Sequence, residues 1–360
     1  DGTGLVVADE ENNRVRRDSF DTTIVFTVAG TGDFGYLGDL GPATGAGLRS
    51  PWRVAVGPDG ALFVADSENM RIRRVDRQSL KISTYAGGGS GEDGGPADSA
   101  RLDFPAGIAF DGAGNLIVAE AWADRVRKVD RTTGIVRTIA GGGTQENDGV
   151  PATSARLYTP FGVAVDRQGN VFVAEANRNV VRRIDAGSGL ITTVAGTGGV
   201  FHGGDGGPAT AATMTNPSDV AVDAAGNLYI AASDDGRVRR VDAGTGIITT
   251  FAGGGFSLGD GGPAVQAYLE NPSGLALDAG GNLLIADGWG NRVRRVDAAT
   301  RVITTVAGTD VDGYYGDGGP AADAGLTEPR GVAVDAAGNL YIADTSANRV
   351  RAVLACGAVP

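Results

Sequence analysis

One histidine (His202) and one cysteine (Cys356) are all the chain has of either type. A Cys/His zinc site, a histidine-rich metal site and an intrachain disulfide are therefore excluded, and a Ser-His-Asp triad would have to use His202 itself. Chemistry is left to carboxylates, arginines and aromatic rings. A six-residue phrase built on Gly-Asp-Gly-Gly-Pro-Ala recurs at 38–43, 92–97, 147–152, 204–209, 259–264 and 316–321. Such a loop has the chemistry to cradle an anion on backbone N–H groups or to hold Ca²⁺ through oxygen ligands. The most calcium-like stretch is DVDGYYGD, with Asp310, Asp312 and Asp317. Calcium needs six to eight oxygens and one Asp per loop falls short. Recurrence whatever the neighbouring sequence favours an Asp that caps the loop, with Pro-Ala starting a short helical turn.

A second recurring set is a carboxylate closing a short apolar run: Asp9, Asp66, Glu120, Glu175, Asp287 and Asp344, with Ala232 in the remaining copy. Arginines follow each, as in Arg71, Arg73 and Arg74 or Arg292, Arg294 and Arg295. Opposite charges on neighbouring strands are expected to pair across the sheet. The departures from the repeat are the better candidates for a ligand site. A Pro-x-Gly phrase holds Gly107, Gly162, Gly274 and Gly331, but two copies replace the glycine: Arg53, after Trp52, and Asp219, after Ser218. Trp122 and Trp289 stand in otherwise small, polar loops, where an aromatic face stacks on a sugar ring or grips a peptide. The expected ligand-binding set is Trp52, Arg53, Trp122, Asp219 and Trp289, with Phe161, Phe201, His202, Phe256, Tyr314 and Tyr315 adding aromatic character to the same face.

The elements that position these residues follow from the repeat. The phrase T-x-A-G ends at Gly30, Gly87, Gly141, Gly196, Gly253 and Gly308, at spacings of 57, 54, 55, 57 and 55 residues. Within each period the order is fixed, and residues 272–308 show it: PSGLALD, AGGN, LLIAD, GWG, NRVRRVD, AATR, VITTVAG. Period-two alternation, β-branched residues and Gly/Asn/Asp punctuation predict four short antiparallel strands. Sixty glycines among 360 residues supply the turns. Four-stranded units repeated radially make an all-β propeller.

These phrases closely resemble the NHL-repeat family along essentially the whole chain. The resemblance implies a propeller, most often six-bladed, and leaves function open: relatives bind RNA, proteins or sugars, and related propellers include lyases and lactonases. The predicted blades lie near 1–30, 51–87, 105–141, 160–196, 217–253, 272–308 and 329–354, in one domain over 1–360. The first and last are incomplete. Second strands occur seven times, which favours seven blades over six. Antiparallel order puts the first-to-second and third-to-fourth turns on one face. The second-to-third loops and the long links lie on the other, more variable face, where function is expected to concentrate.

Net charge is −12, from 31 basic against 43 acidic residues, which disfavours nucleic acid as a partner. No apolar run approaches the roughly 20 residues of a membrane span. The chain opens without Met, as a mature or excised fragment would. The expectation is a secreted, extracellular or periplasmic, non-enzymatic propeller that binds a protein or glycan on its variable face. It has no resident cofactor unless Ca²⁺ occupies the Asp310 loop. The alternatives are a lactonase- or lyase-like enzyme with a cation at the channel mouth, and a head-to-tail assembly through incomplete terminal blades.

Overall fold

A computed structural model describes residues 5–9, 14–18 and 23–354. Cys356 and the proposed match of Asp1–Gly4 to a later turn lie outside the described residues. Blade 1 consists of Pro51–Val56, Leu62–Asp66, Arg71–Val75 and Ile82–Gly87, paired antiparallel in sequence order from the axis outward. Blades 2 to 5 repeat this arrangement with first strands at Pro105–Phe110, Pro160–Val165, Pro217–Val222 and Pro272–Leu277. The first two strands join through a tight turn. In blade 2, Asp111 accepts the Asn115 backbone N–H at 2.8 Å and Gly114 takes φ +83°, the left-handed conformation that favours glycine.

Blade 6 closes the ring. Pro329–Val334, Leu340–Asp344 and Arg349–Val353 take their fourth strand from the other end of the chain, Val25–Ala29. The ring therefore has six blades, correcting the seven counted from second strands. The extra pair, Leu5–Asp9 with Arg14–Asp18, forms a separate two-stranded sheet. The difference is legible at one position. Every third strand within the ring ends in Val75, Val129, Ile184, Val241, Val296 or Val353, most of them buried. The N-terminal copy departs from this in sequence, with Asp18 there, whereas an apolar side chain at such a core position returns about 1.5–3 kcal/mol. Val25–Ala29 pairs instead with Arg349–Val353. The edge that a head-to-tail assembly would use is thus covered by the same chain.

The links between blades run along the outer strand of the following blade. Gly41 accepts from Ile82 and Ala43 donates to Leu80, so each sheet edge is covered. The Asp of the Gly-Asp phrase reaches past that edge to a third-strand arginine that is almost wholly buried. Arg73 lies 2.6 Å from Asp39 and 3.3 Å from Asp66. Arg127 joins Asp93 and Glu120, Arg182 joins Asp148 and Glu175, and Arg351 joins Asp317 and Asp344 in the same way. The recurring carboxylates and arginines are one buried unit that ties link, second strand and third strand together. Blade 4 has Ala232 in place of the carboxylate. There Asp235, three residues on, accepts the Thr215 backbone N–H at 2.8 Å, a bond that Asp66 makes to Arg49 in blade 1.

Between blades the core is apolar, and its filling varies around the ring. Phe63 packs edge-on against Tyr85 and Phe110, both at 4.9 Å, between blades 1 and 2. Between blades 5 and 6 the corresponding residues are Leu284, Val306 and Val334, and a cavity of about 330 Å³ remains.

Candidate binding site at the channel mouth

Each first strand carries a β-bulge just after its proline. Pro51 pairs with Asp66 but Arg53 with Ala65, leaving Trp52 as the extra residue, and the other five first strands show the same shift. A bulge bends the strand and re-aims a side chain. Here it sets six residues around the mouth of the channel: Trp52, Ala106, Phe161, Ser218, Ser273 and Arg330. The sequence signal was the x of Pro-x-Gly, read for the glycine alone; Arg330 was missed for that reason.

The next residue of each first strand is nearest the axis. In blades 2, 3, 5 and 6 it is Gly107, Gly162, Gly274 or Gly331, where a Cβ would collide with the neighbouring first strand. Blades 1 and 4, diametrically opposite in a ring of six, carry Arg53 and Asp219. These were expected to face a ligand. Instead they are only 4% and 5% exposed and meet each other, Arg53 Nε lying 3.4 Å from Asp219 Oδ2. Arg53 Nη2 donates to the carbonyls of Ser218 at 3.0 Å and Ser273 at 2.6 Å, and Nη1 donates to those of Arg330 and Trp52. Asp219 accepts the Leu275 N–H at 2.8 Å. Burial pushes the Asp219 carboxyl up and the Arg53 guanidinium down from their ordinary values, and their mutual attraction opposes both shifts. The pair and its carbonyl collar close the axis.

Above this plug the aromatic residues form a track. Trp122, in the second-to-third loop of blade 2, is 63% exposed and stacks on Phe104 at 4.5 Å. Phe104 meets Trp52 edge-on at 5.3 Å, and Trp52 stacks nearly parallel on Phe161 at 5.6 Å. The Arg330 guanidinium sits over Trp52, 4.4 Å from its ring centre. Arg330 also pairs with Glu328, which accepts from Trp289 Nε1 at 3.2 Å. Trp289 belongs to blade 5, opposite blade 2, and is 56% exposed. Glu328 is itself held by Asn291, at the end of the Trp289 loop in the left-handed conformation. Three of the five predicted ligand residues, Trp52, Trp122 and Trp289, are thus linked across the mouth, and the other two form its floor.

Two carboxylates of the calcium-like loop turn to protein partners. Asp317 is spent on Arg351, Thr27 and Tyr314, and Asp310 lies 3.5 Å from Arg292. Among the described residues no group of three or more His, Cys, Asp or Glu side chains is arranged to hold a metal ion.

The fold and the repeat phrases meet in the family comparison. The NHL repeat model matches residues 48–75 and 326–352, in blades 1 and 6. The chain carries NHL repeats on a propeller fold. NHL repeat-containing protein 2 of Bos taurus is 26% identical over 324 residues, covering 81% of this chain and 44% of that protein. The chain spans less than half the length of the curated relatives it matches. Among solved structures, an auxiliary nutrient binding protein from Bacteroides ovatus superposes with a TM-score of 0.67 at 16% identity, covering 97% of this chain and 82% of that one. A gluconolactonase from Xanthomonas campestris superposes at 0.57 and 15% identity, covering 85% and 86%. At these identities the likeness concerns the propeller fold. No helix among the described residues is long and apolar enough to cross a membrane.

Proposed function

We propose that this NHL propeller is a non-enzymatic binding module, working outside the cytoplasm, whose protein or glycan ligand lies across the closed mouth from Trp122 to Trp289. The observation that carries this reading is the placement of two half-exposed tryptophans on opposite blades, joined through Phe104, Trp52, Arg330 and Glu328 around the mouth of a plugged axis. Exposed aromatic faces flanked by fixed polar groups bind by stacking and by excluding water. An extended ligand fits better than a small compact one, because the mouth offers a track rather than a pocket. Likeness to a nutrient binding protein supports a binding role by analogy of fold. A lactonase- or lyase-like reading would need acidic or basic groups free to act at the axis, where this chain has four glycines and a mutually neutralised pair.

All three tryptophans of the chain are at this mouth, so their intrinsic fluorescence reports on it directly. Titration with panels of oligosaccharides and peptides is expected to find a ligand that shifts the emission. Trp122→Ala and Trp289→Ala should each weaken it at least tenfold without lowering the melting temperature appreciably. A ligand that binds with unchanged emission, or equally well to both variants, would move the site elsewhere.

A further inference from the structure

The links that enter the six blades differ in a way that the tryptophan track does not explain. Those entering blades 4, 5, 6 and 1, which are contiguous around the ring, end in exposed apolar tips: Phe201, Phe256 with Leu258, Val311, and Phe34 with Leu37. Phe256 is fully exposed, and Phe34 and Phe201 are 77% and 76% exposed. The links entering blades 2 and 3 are polar at the same place. The stretches 253–260 and 141–148 are equal in length, yet Thr144 and Glu146 stand where Phe256 and Leu258 stand. A blade-packing requirement would impose the same residues on both. Exposed apolar side chains that recur at one place on four neighbouring blades, set among polar residues, are the composition of an interaction surface.

The charges on the same arc are one-sided. Its four links contain one arginine and no lysine: Arg49 pairs with Glu68 at 2.7 Å, His202 meets Arg237, and the third-strand arginines Arg71, Arg292 and Arg349 are taken up by Tyr36, Asp310 and Tyr314. Asp33, Glu270 and Asp312 are exposed and have no ion pair among the described residues. Nucleic acid and anionic lipid surfaces are repelled by such an arc, and a sugar has no use for apolar anchors spread over four blades. We infer that the arc from blade 4 through blade 1 is a docking surface for a protein segment that presents large apolar side chains flanked by lysine or arginine. The inference rests on the binding reading above and names the partner class for the rim of the same face. Apolar anchors would supply affinity, and the unneutralised carboxylates orientation and salt dependence.

A random 12-residue phage-displayed peptide library panned on the full chain tests this. Enriched peptides are expected to combine aromatic or aliphatic residues with basic ones and to bind less tightly as salt rises. The triple variant Phe201→Ser/Phe256→Ser/Leu258→Ser should weaken them at least tenfold, whereas Ser90→Ala and Thr144→Ala, in the polar links, should change nothing. The replaced side chains are exposed, so an unchanged melting temperature shows that the triple variant is folded. A library that yields no binder, or acidic or purely polar peptides, overturns the inference. So does binding that survives the triple variant. Peptides lost only with Trp122→Ala or Trp289→Ala would also overturn it, while leaving the tryptophan site standing.

Discussion

Arg53 and Asp219 come from opposite blades and neutralise each other on the propeller axis, in a ring whose other four members are glycine. Neither residue fits at its own position without the other. A long side chain is accommodated because the adjacent glycines leave room, and its charge because a carboxylate reaches it from across the ring. Four carbonyls from blades 1, 4, 5 and 6 complete the guanidinium's coordination. The plug joins opposite sectors of the ring, whereas the strand pairing and core packing join a blade to itself and its neighbours, and it forms a floor under the aromatic track.

Breaking the plug from one side should cost more than removing it. Asp219→Gly leaves a buried guanidinium without its counter-charge, and a loss of about 3–5 kcal/mol is expected. Arg53→Gly strands the carboxylate at a similar cost. The double variant restores the all-glycine ring and should be more stable than either single one. Urea denaturation of the four proteins measures the coupling; strictly additive losses would show that the two residues act independently.

The second-strand carboxylates predict an acid-side stability optimum. Burial pushes Glu175 and Asp344 each up to about 7, from ordinary values of 4.5 and 3.8. One oxygen of each has no hydrogen-bond partner, and the nearest arginine stands 3.6 and 3.9 Å away. A carboxyl whose folded pKa is raised holds its proton more tightly in the native state. Its stabilisation is therefore present below the unfolded pKa and is lost as pH rises through about 7. Opposing this, Asp76, held down to about 2 by the Ser79 backbone and hydroxyl, loses its contribution under strong acid. The melting temperature should peak near pH 5 and fall toward pH 8, and Glu175→Gln should flatten that fall. A melting temperature that rises across this interval would contradict the argument.

Strand positions, turn chemistry and the face carrying variation were legible in the sequence because they repeat, and repetition reports blade packing. Blade number was not, because it depends on which of two third strands Val25–Ala29 pairs with, and that pairing joins opposite ends of the chain. Trp122 and Trp289 stood out as bulky residues in small-residue loops. Arg53 and Asp219 stood out equally, but sequence does not say that two departures 166 positions apart face each other. Once the ring has six members, blades 1 and 4 are opposite and the pairing follows. Arg330 was hidden in a column with no fixed residue type, and only the bulge shows that this column rings the mouth.

The cavity between blades 5 and 6 offers a stabilising change. Val306 occupies the position of Tyr85 and Phe251, which fill the corresponding space in other sectors. Val306→Phe should raise stability by about 0.5–2 kcal/mol, in the range of cavity-filling substitutions. Chemical denaturation checks it; a loss above about 1 kcal/mol would mean that the cavity walls clash with the ring.

Closure of the ring gives the sharpest test of blade number. Val25–Ala29 pairs with Arg349–Val353, and the Thr27 backbone N–H and hydroxyl both donate to Asp317, which also holds the buried Arg351. The strand therefore covers an edge and completes a buried ion-pair unit at the same time. Leu5–Asp9 and Arg14–Asp18 pair only with each other among the described strands. Removing residues 1–18 should leave the melting temperature nearly unchanged. Removing residues 1–30 should expose the edge of blade 6, leave Asp317 without Thr27 and lower the melting temperature steeply, with aggregation through the open edge. Matched thermal melts of the two truncations decide the point: if the shorter deletion alone destabilises the fold as much as the longer one, the N-terminal pair belongs to a seventh blade.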